Sequence, residues 1–345
     1  MSRQAEAPAE WASYHIFYHE PGDRVLLRLV LPLLRELRRR GRISRFFFIR
    51  YGEGGPHVRL RLLHAPRHRE RIDAGVRRAA ARFFARWPAR PLSDDDADRQ
   101  AWYLLVNDAR SDVAHPNNSV AEIPFEPEVE RYGGGALIEP SLDFFHASSA
   151  CVLHLLARHP GLDKPRRLGL GLRLLWRQAL GFAAHRQEIA ELVAYATPEQ
   201  RSPLAERADR EFEARADHYV RLLWELLREA IAGLQAAESD PGIADGLLTA
   251  AARRLRQQVA GAGEEARWRI LGSQLHMTAN RLGLLKPEEV YLGRILWRAL
   301  QRAEAEGSPW PGLEPFLAAP ALLEPDALES RVAASLARGR EGDRR

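Results

Sequence analysis

Arg45-Phe-Phe-Phe-Ile-Arg-Tyr51 and His57-Val-Arg-Leu-Arg-Leu-Leu63 are the two stretches that decide the fold. Both are short runs rich in aromatic and aliphatic residues with glycine-rich flanks, and such runs predict β-strands. Gly52-Glu-Gly-Gly-Pro56 joins them, and a short glycine-rich connection is typical of a β-hairpin. The sequence therefore predicts two antiparallel neighbours in one sheet.

The second strand of this hairpin separates apolar from charged side chains. A period of two places Val58, Leu60 and Leu62 on one face. The other face then carries His57, Arg59 and Arg61, and we expect Arg50 of the neighbouring strand to lie near that surface. Guanidinium groups that converge in this way hold a carboxylate well. A solvent-exposed sheet face is the alternative interpretation of the same pattern.

The segments around the hairpin predict a β-α-β-β-α order. Trp11-Ala-Ser-Tyr-His-Ile-Phe-Tyr18 has the aromatic, alternating character of a strand. Asp23 can cap the helix that follows, and leucine and valine residues recur at helical spacing until Gly41. A second helix is predicted around Arg69–Arg86.

The remainder is predicted to be mostly helical. Asp94-Asp-Asp-Ala-Asp98 indicates an acidic loop or helix start, and residues 107–140 are polar and turn-rich. The helices predicted beyond them are Ser141–His159, Leu168–Tyr195, Ala208–Ala236, Gly242–Ala260, Glu264–Leu284 and Pro287–Glu306. The expected fold class is α+β, with a mixed β-sheet in the N-terminal half and a largely helical C-terminal half. We expect a single domain over 11–334, sheet-containing over 11–140 and helical over 141–334, between a disordered leader at 1–10 and a frayed tail at 335–345.

Composition limits the class of protein. The chain has 345 residues, of which 46% are hydrophobic and 28% charged, as in ordinary globular proteins. It has no apolar run long enough to cross a membrane and no secretory signal, so a cytoplasmic location is expected. Cys151 is the only cysteine and is expected to be a buried packing residue, which excludes an intrachain disulfide and a cysteine metal cluster. Arginine carries nearly all the positive charge, either through codon usage or because guanidinium groups are needed for anion recognition.

Two further segments contain candidate functional residues. In Glu128-Val-Glu-Arg-Tyr-Gly-Gly-Gly135, Glu128 and Arg131 are three residues apart. A surface ion pair at helical spacing, followed by glycines that end the helix, explains this pattern as well as a functional role does. In the helix Glu264–Leu284, His276 and Asn280 share one face, with Arg281 beside them. Histidine is the side chain best suited to exchange a proton near neutral pH, while a core histidine bonded to Asn280 is the alternative.

Other well-known catalytic patterns are missing from the sequence. It contains no glycine-rich loop followed by Lys-Ser/Thr, no His-Glu-x-x-His helix and no Gly-x-Ser-x-Gly elbow. Nucleotide, zinc and serine-hydrolase chemistry therefore lose support. The arginines are spread over many helix faces without interleaved aromatic residues, so direct nucleic-acid binding is not expected either. What remains indicates proton transfer on a bound anion.

These motifs together resemble a known family, the C-terminal domain shared by lantibiotic dehydratases and thiopeptide-type bacteriocin biosynthesis proteins. The resemblance rests on four motifs in the family's order that span nearly the whole chain. They are Trp11-x-x-Tyr-His-Ile-Phe17, Phe47-Phe-Ile-Arg-Tyr51 followed by His57-Val-Arg-Leu-Arg61, Glu128-Val-Glu-Arg-Tyr-Gly133 and His276-Met-x-x-Asn-Arg281. Each motif alone is weak, but four in order are specific.

The resemblance implies a role in maturing a ribosomally made peptide. In full-length relatives, an N-terminal domain uses glutamyl-tRNA to esterify Ser or Thr of a precursor peptide, and the C-terminal domain then eliminates glutamate to leave dehydroalanine or dehydrobutyrine. This chain resembles the second domain alone, which implies a stand-alone lyase beside a separately encoded glutamylating subunit. A close branch instead forms the pyridine core of thiopeptides by a formal [4+2] cycloaddition, and fold likeness cannot separate the two activities. A non-catalytic protein that binds the precursor peptide is a third hypothesis.

The resemblance also implies roles for individual residues. His276 becomes the acid/base residue, and Arg59 or Arg61 together with Arg131 become carboxylate binders. Glu128 matches the acidic residue that precedes the family arginine, while Arg50, Asn280 and Arg281 are expected to support the substrate. No metal or other cofactor is required. The expected partners are the precursor peptide and the glutamylating subunit, without a membrane or nucleic acid, and a homodimer is left open.

Overall fold

A computed structural model describes residues 8–91, 114–196, 203–235, 240–307, 310–318, 330–332 and 334. Most of the predicted leader, the acidic stretch 94–98 and the predicted tail 335–345 lie outside these residues. The chain divides into two compact units, Met1–Pro127 and Glu128–Arg345.

The first unit contains a four-stranded sheet with helices on one face. Its strands are β1 (Glu10–Phe17), β2 (Arg45–Tyr51), β3 (His57–His64) and β4 (Ser119–Glu122), arranged in the order β2-β3-β1-β4. All the described pairings are antiparallel. Helix α1 runs through Asp23–Val25, a π-helical turn at Leu26–Val30, and Leu31–Arg39. Helix α2 is Arg69–Arg86, preceded by a 3-10 turn at Pro66–His68.

Period-two alternation buries the apolar face of the sheet under these two helices. Val58, Leu60 and Leu62 of β3 are at most 2% exposed. The Tyr14 hydroxyl in β1 donates to Asp73 of α2, and the Arg38 guanidinium of α1 lies 5.0 Å from the ring centre of Phe46 in β2. The helices therefore cover the face predicted to be apolar, as the sequence pattern requires.

The regular secondary structure described for the second unit consists of helices alone. Its helices are α3 (Gly135–Arg158), α4 (Lys164–Phe182), α5 (Arg186–Ala196), α6 (Pro203–Ala214), α7 (Ala216–Gln235), α8 (Asp240–Gln258), α9 (Glu264–Leu282), α10 (Lys286–Ala305) and α11 (Leu313–Ala318). The α+β class with helices in the C-terminal half is thus confirmed. No described helix is long and apolar enough to cross a bilayer.

Two predicted helices, Leu168–Tyr195 and Ala208–Ala236, are each divided in the structure. At the first break, Ala183 is extended (φ −86°, ψ 142°), its carbonyl accepts from the Arg256 guanidinium, and the N–H of Ala184 donates to Glu188 at 2.6 Å. Arg256 belongs to α8, far away in sequence, so its contact with Ala183 leaves no local signal. Strand β4 and the first turn of α3 also lie within the stretch predicted to be irregular.

A matched pair of glycines in α4 tests the packing of α4 against α8. A Cβ on Gly181 would lie 2.5 Å from the Ala252 Cβ and 2.8 Å from the backbone oxygen of Thr249, whereas one on the exposed Gly169 would meet nothing within 4 Å. We expect Gly181→Ala to lower the free energy of unfolding by about 1–3 kcal/mol through overpacking. Gly169→Ala should raise it by about 0.5–1 kcal/mol, because alanine is the better helix former. Urea unfolding followed by circular dichroism measures both, and equal effects would contradict the close helix contact.

Candidate active site

His276 lies in the last third of α9, where the sequence places its strongest acid/base candidate. The helix ends at Gly283, which adopts the left-handed conformation (φ 86°) and lets the chain turn directly into α10. This turn brings the first turn of α10 beside His276. The His276 Nδ1 lies 2.8 and 3.0 Å from the two carboxylate oxygens of Glu289.

Glu289 is a site residue that the sequence analysis missed. Its side chain is 8% exposed, whereas that of His276 is 25% exposed. The second ring nitrogen, Nε2, has no hydrogen-bond partner among the described residues. Asn280, which the sequence suggested as the partner of the imidazole, is half-buried one turn further along α9. The contact observed for the ring is therefore a carboxylate from the next helix.

The turn that carries Arg131 is packed against the same helix. The Tyr132 hydroxyl forms a hydrogen bond with the Ser273 hydroxyl at 3.0 Å, and Ser273 precedes His276 by about one helical turn. A Cβ on Gly133 would lie 3.1 Å from Ile270 of α9, which shows how closely this turn approaches. Sequence reasoning missed Tyr132 and Ser273 because their contact joins residues 141 positions apart.

Arg131 itself is exposed. Its Nη1 donates to Glu128 at 2.9 Å, and both side chains are largely accessible, at 45% and 62%. The ion pair suggested by the spacing is therefore present. An exposed pair of this kind adds little stability, so the guanidinium can be recruited by another carboxylate at small cost.

Arg281 occupies a different environment although it is close to His276 in sequence. It is fully buried, its Nε donates to the Ser149 hydroxyl of α3 at 2.9 Å, and its guanidinium lies 4.6 Å from the ring centre of Phe145. Burial lowers the pKa of Arg281 to about 9. These contacts link α9 to α3, which indicates a structural position rather than one open to a peptide.

In the first unit, the two arginines of β3 differ sharply. Arg59 lies 3.6 Å over the Tyr51 ring, its Nε donates to His57 Nε2 at 3.1 Å, and it pairs with Glu53 at 3.4 Å. His57 in turn donates from Nδ1 to the Gly55 carbonyl at 2.7 Å. Arg59 is thus engaged by its neighbours on the sheet.

Arg61, by contrast, is buried with unused donors. It is 5% exposed, and its Nε and Nη1 atoms have no hydrogen-bond partner among the described residues. The hydroxyl of Ser13, directly opposite on β1, is also buried without such a partner. Burial, and then the charge of Arg59, lowers the pKa of Arg61 to about 9. A buried cation with free donors is a strong candidate for binding an anion.

Two histidines share this face of the sheet. The rings of His15 and His57 stack with their centres 4.9 Å apart, and both residues are at most 5% exposed. Burial, followed by the charges of Arg61 and Arg59, holds the pKa of His15 far below its usual range. Burial likewise lowers the pKa of His57 to about 4. Both rings are therefore neutral near pH 7, and the face that was predicted to carry charge is buried instead of solvent-exposed.

The predicted convergence of Arg50 with Arg59 and Arg61 is wrong. Arg50 is the direct partner of Val58, so it lies on the helix-covered face of the sheet, opposite to the other two arginines. There it pairs with Asp23 of α1 at 2.5 Å. A shift of one residue in strand register reverses the face of every side chain, and the hairpin loop alone does not determine that register.

The model of the family described as "Lantibiotic biosynthesis dehydratase C-term" matches residues 11–300. No curated protein matches the chain. Among the described residues, no three His, Cys, Asp or Glu side chains are grouped so that they could hold a metal ion.

Three solved structures show the same fold at low identity. The pyridine synthase TbtD from thiomuracin biosynthesis is 18% identical with a TM-score of 0.62, over 87% of this chain and 99% of that one. The tRNA-dependent lantibiotic dehydratase MibB from Microbispora sp. 107891 is 20% identical with a TM-score of 0.58, over 90% of this chain but only 29% of that one. TsrL is 15% identical with a TM-score of 0.56, over 92% and 99%.

The buried charge of Arg61 can be tested by stability alone. Arg61→Met keeps the length of the side chain and its contact with Phe125 but removes a desolvated cation, so the free energy of unfolding should rise by about 1–4 kcal/mol. Arg59→Met is the matched control two residues away, and it should be destabilising because it leaves Glu53 and His57 without their partner. Thermal and urea unfolding of both variants measure the difference. Destabilisation by Arg61→Met would show that its charge is already compensated.

Proposed function

Because the chain belongs to the family of lantibiotic biosynthesis dehydratase C-terminal domains, we propose that it eliminates glutamate from glutamylated Ser or Thr residues of a ribosomal precursor peptide. The products are dehydroalanine or dehydrobutyrine and free glutamate. The observation that carries this proposal is the imidazole of His276, which is bonded through Nδ1 to a buried carboxylate and has no partner at Nε2 among the described residues. Such a ring is prepared to accept a proton.

The proposed reaction is a β-elimination at one peptide residue. Nε2 of His276 takes the proton from Cα, the electron pair of the C–H bond forms the Cα=Cβ double bond, and the Cβ–O bond breaks. Both electrons of the Cβ–O bond leave with glutamate as a carboxylate. Negative charge therefore develops on the peptide carbonyl and on the leaving group, and preorganised cationic donors stabilise charge of this kind.

Two arginines are proposed to bind carboxylate groups of the glutamylated peptide. Arg61 has buried N–H groups without partners among the described residues, and a planar guanidinium matches the geometry of a carboxylate. Arg131 lies on the turn that Tyr132 fastens to Ser273, in the same unit as His276, and its ion pair with Glu128 is exposed and weak. Arg59 is proposed to support Arg61, because its own contacts fix it on the same sheet face.

The proposed reaction also implies which cofactors and partners the protein needs and where it acts. Neither a metal nor another cofactor is needed for this proton transfer. The glutamyl group is attached by a separately encoded, tRNA-dependent subunit, so the partners are that subunit and the precursor peptide, and the location is the cytoplasm. We propose that the family domain over 11–334 works as one functional entity.

Formation of a thiopeptide pyridine is the second candidate function. One observation favours it. The match with the pyridine synthase TbtD covers 87% of this chain and 99% of TbtD, whereas the match with the dehydratase MibB covers only 29% of MibB. A cycloaddition of two dehydrated residues needs no base for a Cα proton at its outset. A prepared imidazole therefore favours elimination between the two.

His276→Ala tests the proposed function. Loss of a positioned acid/base group costs roughly a hundred- to ten-thousand-fold in rate, so the variant should fold but leave glutamylated peptide unconverted. The assay follows the mass of a purified, pre-glutamylated peptide without added tRNA, ATP or metal. His159→Ala removes an exposed histidine of the same unit and should convert the peptide normally.

Three outcomes would contradict elimination by His276. Normal dehydration by His276→Ala would reduce the residue to packing. Strict dependence of this step on tRNA, ATP or metal would exclude the proposed scheme. If the peptide is already fully dehydrated before the protein is added, and only a later ring-forming loss of mass requires it, the pyridine-forming function is correct instead.

Arg131→Lys tests whether a planar guanidinium is required. Lysine keeps the charge but loses the two-pronged donor, so kcat/KM for the glutamylated peptide should fall by at least tenfold while the unfolding midpoint is unchanged. Arg166→Lys is the control, because Arg166 forms a comparable exposed pair with Asp163 three residues away. Equal activity of the two lysine variants would show that Arg131 acts only as surface charge.

A further inference from the structure

We propose that Glu289 is a positioning residue that selects the tautomer and ring orientation of His276. This inference rests on the proposed function, because it assigns the proton acceptor that His276 uses to one particular nitrogen. Glu289 does not touch the peptide in this scheme. It acts through the imidazole alone.

The contact with Glu289 determines which ring nitrogen of His276 carries the hydrogen. An ionised carboxylate can only accept hydrogen bonds, and a neutral imidazole carries one N–H donor and one bare nitrogen. The Glu289 oxygens lie 2.8 and 3.0 Å from Nδ1, so Nδ1 must carry the hydrogen. The lone pair of the neutral ring is then on Nε2, the nitrogen without a partner among the described residues. That nitrogen can accept a proton from a substrate.

The Glu289 carboxylate is held in a fixed position. Glu289 is 6% exposed and lies in the first turn of α10, where its backbone N–H donates to the Leu285 carbonyl at 3.1 Å. Burial and this helical backbone restrict the carboxylate to one place. Because both of its oxygens approach the same Nδ1, the plane of the imidazole is restrained as well.

Glu289 differs in its contacts from its neighbour in sequence. The Glu288 carboxylate accepts from the Leu285 N–H at 3.0 Å, which caps α10, and it pairs with Lys164. Two adjacent glutamates thus have different tasks, because consecutive helical residues point about 100° apart. Glu288 secures the helix end, and Glu289 reaches across to α9. A substitution of Glu288 is therefore a matched control for a substitution of Glu289.

A purely structural role for Glu289 predicts a different result. As a link between α9 and α10 it would contribute stability but would not determine which ring nitrogen carries the proton. The tautomer is therefore the decisive observable, since it reports on the positioning role without any catalytic step. It also separates this inference from the proposed function.

The experiment compares Glu289→Gln, Glu289→Met and Glu288→Gln in the full chain. Nitrogen-15 labelling of histidine, recorded where the imidazoles are neutral, identifies the protonated nitrogen of each ring, and His276→Asn identifies the His276 signals. We expect Nδ1–H in the native protein and in Glu288→Gln. Glu289→Met removes the acceptor, and Glu289→Gln can donate from its amide, so both should shift His276 towards the Nε2–H form.

Kinetics complete the test. Elimination by the two Glu289 variants should show kcat lowered by about a hundred- to ten-thousand-fold with KM changed little, because the correct tautomer is scarce. Glu288→Gln should keep kcat. If both Glu289 variants keep Nδ1–H and a kcat within threefold of the native value, the positioning role is wrong. If the tautomer shifts while elimination continues unchanged, Glu289 does position the ring, but His276 is not the base of the elimination.

Discussion

The burial of α9 is the constraint on which the second unit depends. Most of its residues from Ile270 to Leu282 are buried among α3, α4 and α5, so polar side chains there need partners inside the protein. Ser273 reaches the turn at Tyr132, His276 reaches α10 and Arg281 reaches α3. Each contact fixes a different neighbour to the same helix. Gln274 and Thr278, also buried in α9, have side-chain atoms without a hydrogen-bond partner among the described residues, so only some of the polar groups of this helix are satisfied in this way.

The sheet of the first unit also buries polar side chains that need partners, but there the need is met only in part. Alternation along β1 and β3 sends His15, His57, Arg59 and Arg61 to one face, and that face is largely buried. Arg59 is compensated by Tyr51, His57 and Glu53, while two donors of Arg61 have no partner among the described residues. Folding alone gains nothing from such a cation. A bound carboxylate would compensate Arg61, whereas Arg59 already has partners within the sheet.

The sequence predicted elements well where a local pattern determines them. Alternation, helical periodicity and the positions of glycines predict the hairpin, α2 and α9. The order of these elements predicts the α+β class. The break at Ala183 depends on Arg256 and could not be read locally. Arg50 was assigned to the wrong face because the hairpin loop alone does not determine the register of the two strands, in which Arg50 pairs with Val58. Glu289 was missed for a similar reason, since only the turn at Gly283 brings it to His276.

The stability that the Glu289–His276 pair contributes can be compared with that of an apolar pair. A carboxylate on a side chain that is 8% exposed has lost most of its hydration, and its attraction to a partner often no more than balances that loss. An apolar pair at the contact between α9 and α10 would hold the helices together at least as well. An apolar pair could not orient a partly exposed imidazole ring so that the lone pair of one nitrogen points in a fixed direction. The proposed elimination needs such a nitrogen at its first step, whereas cycloaddition of dehydrated residues does not, so the carboxylate–imidazole pair supports the proposed elimination.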